Sequence, residues 1–478
     1  YRENSTHEPE YSTSKQAHSI SLHPATASEQ AGRRRAAASK IETENCIMVK
    51  SVVEEKREIP VAGEADVVVV GGGLAGVAAA VAAARNGMSV ILIEKSCVLG
   101  GLATLGHVCV YMPLDDGLGH KIHGGLAEEL LYVCCRYSYN TIPDCWKGGP
   151  SYVENPEGRY QTTFNIPACI MALDEFMEAE HVKVIFDTVF CLPIMEGNVC
   201  KGVIVENKSG RSAYLARMVI DASGDADVLY RAGAECEEQK NIVSHWTYEV
   251  DVEKIRSGTE KDVLHNVRMR WFGLRPDFDN SGSTLPMFYG TTCEGVNDYI
   301  KLSRSLALDY LKKNQREGYA MMTLPFMPQF RMTRRLKGLK EMEVVPRVHV
   351  EHSIGCVIHC LENPEEVYEF PYEALIDSKI ENIAAAGRIV SAGGRGWEIM
   401  RFIPSCVLTG QAAGTAAALA IKAGCSLQEV DVGALQDNLA ATGVMIHMTE
   451  ELRNNRKNPV KKSLNLPINT DTLAYSQH

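Results

Sequence analysis

The sequence predicts an α/β fold built on a parallel sheet, and three observations carry that prediction. A β-branched run at residues 67–70 reads as a strand buried on both faces. Glycines at 71, 73 and 76 follow at once, opening an Ala-rich helical stretch, 74–85, that stops at Asn86-Gly87. A second short strand, 89–93, then delivers an acid, Glu94. Strand, turn, helix, stop, strand and acid in that order make a Rossmann-like dinucleotide-binding unit, where a lone glycine triplet would be only a turn.

Each part of the unit has a physical task. Gly71 permits the tight turn, Gly73 lets backbone approach a pyrophosphate, and Gly76 lets the helix lie close to the strand. Leu74 and Ala75 open the helix, so phosphates would meet unpaired amides and the positive end of the macrodipole. Glu94 stands where an acid meets the ribose hydroxyls of an adenosine.

A chain of 478 residues is too long for one simple core, so two domains, contiguous or interleaved, are expected. The net charge of −11 argues against nucleic acid as a general partner. Fifteen cysteines without a CxxC pair or zinc-type spacing favour reduced thiols in a cytoplasmic setting. Cys134-Cys135 and the pair Cys356 and Cys360 are read as buried, inert thiols in preference to redox pairs. The most apolar region, 67–84, is broken by glycines and already explained as strand, turn and helix, so no membrane span is expected. Residues 1–47 lack a sustained hydrophobic period and are expected to be a disordered, dispensable leader, with the folded protein starting near Met48.

After Glu94-Lys95 the chain runs through LGGLAT, residues 99–104, a loop of small residues. HGGLAEELLYVCC follows, in which 126–135 has the period of an amphipathic helix. A helix at 170–179 leads into a strand at 182–186. Turn chemistry at 196–198 and 208–210 divides residues 188–220 into a three-stranded β-meander. The meander ends at Asp221-Ala222-Ser223-Gly224-Asp225.

These motifs resemble the FAD-dependent oxidoreductases of the glutathione-reductase and fumarate-reductase superfamily, most closely the broad bacterial group known simply by that description. The resemblance runs over residues 64–445 and rests on the glycine turn, Glu94-Lys95 with LGGLAT, the GG-x-AEE segment at 124–129, the D-A-S-G-D element and PYEALIDSKIENIAAAGRIVSA at 371–392. Ser223 stands where the family has Thr. The resemblance implies a Rossmann-like FAD-binding domain assembled from discontinuous segments, with a β-meander and a mixed α+β substrate or cap domain. The expected limits are 64–235, with an insertion at about 112–165, then a cap at 236–369, a closing FAD-binding part at 370–445 and a polar tail at 446–478. It places Gly100, Gly101, Leu102, Ala103 and Thr104 beside the flavin or its diphosphate, Val189 at the adenine, Ala222, Ser223 and Gly224 among the cofactor-binding residues, and Gly387 and Arg388 at the pyrophosphate or ribityl chain. The helix after Pro404, including Cys406 and Val407, is implied to point its N-terminus at the flavin pyrimidine edge. There its dipole would stabilise negative charge on reduced flavin. Gly410, Ala412, Ala413 and Gly414 leave that helix a smooth face for close packing.

Candidate chemistry follows in two tiers. His107, Tyr111, His120 and His123 lie just after the flavin loop and are the nearest titratable groups by sequence. Arg331 and Arg334, from QFRMTRRLKGLK, and Arg401, near Trp397 and Glu398, suit an anionic substrate, although a basic run also fits a solvated face. On a strand His349 and Glu351 would share a face while His352 points away, so no metal is expected. The expected reaction is hydride transfer between flavin N5 and a small organic substrate. A flavin monooxygenase and a non-catalytic FAD-binding or electron-transfer protein stay open as alternatives, as do covalent flavin at His107 and homo-oligomerisation. No second glycine fingerprint marks a separate NAD(P)H domain, and Cys97 lacks the partner a disulfide reductase needs.

Overall fold

Apolar runs bounded by turn residues build one central sheet in the computed structural model, which describes residues 53–258, 268–274, 283–359 and 366–454. β1 (Val61–Val70), α1 (Leu74–Arg85) and β2 (Val90–Ile93) form the first βαβ unit. β1 starts six residues before its apolar run, because its exposed first half pairs with a strand far along the chain. α2 (Leu126–Cys135) has the expected bounds. α3 (Ile166–Ala179) begins four residues earlier than its apolar period, since the Asn165 side chain caps it by accepting from Ala168 N. β3 (Lys183–Ile185) and the meander β4 (Val189–Glu196), β5 (Val199–Asn207) and β6 (Gly210–Asp221) complete the first half.

Residues 236–359 hold a separate antiparallel sheet of β7 (Ser244–Asp251), β8 (Arg268–Gly273) and β9 (Tyr319–Thr323), with β7 in the middle. A long helix, α4 (Cys293–Asn314), buries Tyr299, Ser303 and Ala307, and Tyr299 joins Val243 and Phe330 in a small core of its own. The hairpin of β10 (Ser353–Ile358) and β11 (Val367–Pro371) follows. The boundary expected at 369 therefore falls inside a strand, and the hairpin is tied to the closing part of the chain, Cys356 N donating to Met445 O. Residues 347–352 form a turn, not the strand expected for His349 and Glu351.

The main sheet has the order β3-β2-β1-β6-β5-β4. A last strand, β12 (Ile383–Ala385), runs parallel to the end of β6. Register is what matters for function. Val70 lies level with Ile93 and with Asp221, Ile93 with Ile185, and Asp221 with Ala385. The carboxyl ends of all these parallel strands thus open at one edge, where ligands of doubly wound sheets sit.

The closing helix α5 (Ile403–Ala423) lies against α1 with backbone nearly touching backbone. A Cβ on Gly410 would stand 2.1 Å from Ala75 O, and one on Gly414 2.1 Å from Ala79 O. Among the described residues α5 is the one helix long and apolar enough to cross a membrane, but 78% of its apolar window is buried inside the protein. The segment expected to be a polar tail begins with buried Met448 and Leu452 and a short helix, Glu450–Asn454. The leader expected at 1–47, Cys360, and residues 455–478 lie outside the described residues.

Candidate active site

A cavity opens at the level edge of the parallel strands, with an empty space of about 1170 Å³ when its open mouth is included. Gly71, Gly73, Leu74 and Ala75 line it from the first turn, and Glu94 and Lys95 from the end of β2. Gly100, Gly101, Leu102 and Ala103 come from the small-residue loop, and Val189 from the start of the meander. Ala222, Ser223 and Gly224 follow β6, Gly387 and Arg388 follow β12, and Cys406 comes from the first turn of α5. Seven segments of the sequence thus meet on one space.

Two helices present bare N-termini to this space. Neither α1 nor α5 has a side-chain cap or an acid in its first turn, and their first residues Leu74, Ala75, Ile403 and Cys406 line the cavity. The orphan amides of those turns are donors for negative charge. Gly73, the N-cap of α1, would carry a Cβ with no protein atom within 4 Å, so a side chain there would fill the cradle.

Ionised side chains brace the rim. Glu94 accepts from Gly72 N at 2.6 Å and Ser96 N at 2.7 Å, which fixes both carboxylate oxygens at the cavity wall. Asp221 accepts from Ser223 N and Oγ through one oxygen and from Val228 and Leu229 N through the other, so it holds the 222–225 loop and caps the next helix. Its burial nonetheless lifts its pKa to about 6. The Arg388 guanidinium donates to Gly224 O, Phe330 O and Asp225 Oδ1, binding the closing element to the 222–225 loop and to the segment around Phe330.

A sequence model for the family described as "FAD dependent oxidoreductase" matches residues 66–439. The chain belongs to that family. L-aspartate oxidase from Mycobacterium tuberculosis (strain ATCC 25618 / H37Rv) is 28% identical over 193 residues, covering 35% of this chain and 37% of the relative. The chain thus matches little more than a third of that relative's length. Among solved structures, p-nitrophenol 4-monooxygenase PnpA from Pseudomonas putida DLL-E4 is similar at TM-score 0.45 and 12% identity, covering 80% of this chain and 88% of that one. The 3-ketosteroid-delta4-(5alpha)-dehydrogenase from Rhodococcus jostii RHA1 gives TM-score 0.37 and 14% identity, covering 77% and 99%.

The cavity suits FAD on its own geometry. The bare helix ends and the open Gly73 cradle fit a diphosphate, and Glu94 at the end of β2 fits a ribose. Three of the expected cofactor residues, Gly76, Thr104 and Val407, do not line the cavity. Gly76 has no room for a Cβ, which would stand 1.9 Å from Gly71 O, so it sets how closely α1 approaches β1. Thr104 is buried and donates to Leu99 O at 2.7 Å, closing the small-residue loop on itself. Val407 is buried in the core beneath the start of α5. Thr188, Phe190, Asp227 and Met327 also line the cavity. Thr188 and Phe190 flank Val189 and were readable as its neighbours, whereas nothing local marks Met327.

Of the candidate catalytic groups, only Arg401 lines the cavity; its Nε is 2.6 Å from Glu398 Oε2 and its guanidinium carbon 4.9 Å from the centre of the Phe402 ring. His107 is one residue from the lining Val108, in a left-handed backbone conformation with φ 60°. Its Nε2 is 3.1 Å from Thr323 Oγ1, its ring meets Tyr248 edge-on, and burial pulls its pKa down to about 4. Tyr111 is fully buried with its hydroxyl donating to Ala127 O at 2.6 Å, a packing role away from the cavity. His123 is buried apart from the cavity, with its pKa pulled down to about 3. His120 pairs with Asp116, which raises its pKa. Arg331 donates to Ser244 O and Gln329 O. Arg334 pairs with Glu238 and Asp227 and stacks 3.8 Å over Tyr230. Arg331, Arg334, Arg335 and Lys337 of the basic run are thus spent on internal pairing, for which β-branched or apolar periodicity gives no signal.

His349 does find ligand-type partners, but not Glu351 or His352. With Glu369 and His447 it forms a cluster whose ligand atoms lie within 4.8 Å of one another. Arg453 occupies the cationic position there, donating to Glu369 Oε1 at 2.9 Å, while Val350 N, Met448 N and His447 satisfy the rest of the carboxylate.

Proposed function

We propose that the protein transfers a hydride between flavin N5 and a small organic anion held between the cofactor cavity and residues 236–359. FAD supplies the electron-pair chemistry, and the chain supplies binding, orientation and proton handling. The observation that supports this reading is that Arg401 lines the same cavity as the glycine turn, together with Val108 from the flavin loop and Met327 from the cap region. A guanidinium binds a carboxylate through two parallel hydrogen bonds, and the Glu398 pairing pre-orders its plane without using every donor. His107, neutral at pH 7 because it is buried, is suited to accept a proton one residue along the same loop.

We place the reaction in a reducing, cytoplasmic setting, in keeping with thirteen free cysteines among the described residues. Anaerobic titration of the purified holoprotein with a metabolite library, read at the flavin band, identifies the substrate. With that substrate, Arg401→Ala is expected to raise KM at least about tenfold, the loss of one charge-assisted contact, with FAD content unchanged. Unchanged affinity and turnover in that variant would remove Arg401 from the reading.

A further inference from the structure

We infer a second ligand site, for a small carboxylate that carries a hydroxyl group, in a cavity separated from the cofactor cavity by residues 326–329. Met327 lines the cofactor cavity, while Phe326, Pro328 and Gln329 line the second one. The intervening segment is fastened to the flavin loop, since Phe326 N and Met327 N both donate to Leu105 O and Gln329 Nε2 donates to Gly106 O.

Three polar side chains meet in this cavity with atoms left unpaired among the described residues. His245 on β7 is 2% exposed and both of its ring nitrogens are unpaired. Ser303 on α4, 6% exposed, leaves its Oγ unpaired, and Gln329, 3% exposed, leaves its Oε1 unpaired. Buried polar groups in native proteins are almost always satisfied, so three orphans lining one space point to a molecule that belongs there.

The orphans specify what that molecule offers. The donation from Gln329 Nε2 to Gly106 O fixes the amide, so Oε1 is an acceptor that needs a donor. Burial and the nearby Arg331 keep the His245 imidazole neutral, with one donor and one acceptor nitrogen. Ser303 serves either way. A hydroxyl group both donates and accepts, and so matches this set. Arg304 lines the same cavity from an exposed position, without an acidic partner among the described residues, and supplies the charge for a carboxylate. Leu324, Pro325 and Pro328 give the cavity apolar walls.

The inference stands apart from the hydride-transfer reading and is tested on the FAD-loaded full chain by calorimetric titration and by crystals soaked in L-malate or L-lactate, with succinate as the hydroxyl-free control. Malate or lactate is expected to bind saturably and to appear in density against His245 and Gln329, with succinate at least fivefold weaker than malate. Arg304→Ala, a surface change, is expected to weaken binding at least fivefold, and His245→Phe to abolish it, both with FAD content retained. Water alone in the cavity at saturating probe, or affinities unchanged in both variants, overturns the site. Such a failure leaves the FAD reaction untouched, because that is read separately from the flavin band.

Discussion

Gly410→Ala tests how the cofactor cavity is built. The added methyl would stand 2.1 Å from Ala75 O, where real contacts begin at 3.0 Å, so α5 and α1 must separate by roughly 1 Å at that turn. Overpacking of this size costs about 1–3 kcal/mol. With an unfolding entropy of roughly 2 cal/mol/K per residue over about 400 residues, that lowers Tm by about 1–4 °C. Ala75 also lines the cavity through the first turn of α1, whose unpaired amides would hold the diphosphate. Displacing one charge-assisted hydrogen bond there is worth roughly tenfold in FAD affinity. Gly414→Ala is the control, because it makes the same 2.1 Å approach to Ala79 O, one turn deeper and away from the cavity. Differential scanning fluorimetry and the flavin band after desalting read the two effects. Both variants should lose stability, and only Gly410→Ala should lose FAD. Equal FAD retention in the two, or a wild-type Tm for Gly410→Ala, would refute the account of helix packing given above.

Three further outcomes are expected. Arg453→Ala leaves the fully buried Glu369 carboxylate short of its cation, and the partial exposure of the arginine reduces the expected cost to about 1–3 kcal/mol; an unchanged denaturant midpoint would mean the segment after 446 is not part of the fold. His107, His123 and His245 have folded pKa values depressed to about 4, 3 and 4, below the ordinary 6.5, so the unfolded chain binds more protons between those limits. Their contribution to stability is therefore complete above pH 6.5 and is lost as pH falls toward 3. Replacing His123 by Gln should flatten the difference in denaturant midpoint between pH 7 and pH 4, and a pH profile parallel to wild type would count against a buried neutral imidazole. Rapid mixing of the oxidised holoprotein with NADH or NADPH should leave the flavin band unbleached on the timescale of turnover, because no second dinucleotide fingerprint is present; prompt bleaching would place a pyridine nucleotide at the flavin.

The sequence by itself determined the local units. The glycine turn with its helix and acid and the three-stranded meander each depend on contacts within about thirty residues, which is the range over which periodicity and turn chemistry carry information. Several side-chain fates were beyond it. Arg331 and Arg334 looked like substrate arginines, yet Ser244 and Glu238, which they respectively meet, lie 87 and 96 residues away in the chain, so only the folded structure shows that they pair internally. His349 paired with a carboxylate in the next hairpin strand instead of its neighbours, because residues 347–352 turn where a strand was expected. The tertiary structure alone set the common level of Val70, Ile93, Asp221 and Ala385, which turns four separate strand ends into one cofactor cavity. It alone left His245, Ser303 and Gln329 facing one another unsatisfied, since hydrogen-bond partners across a core are fixed by packing and not by proximity along the chain.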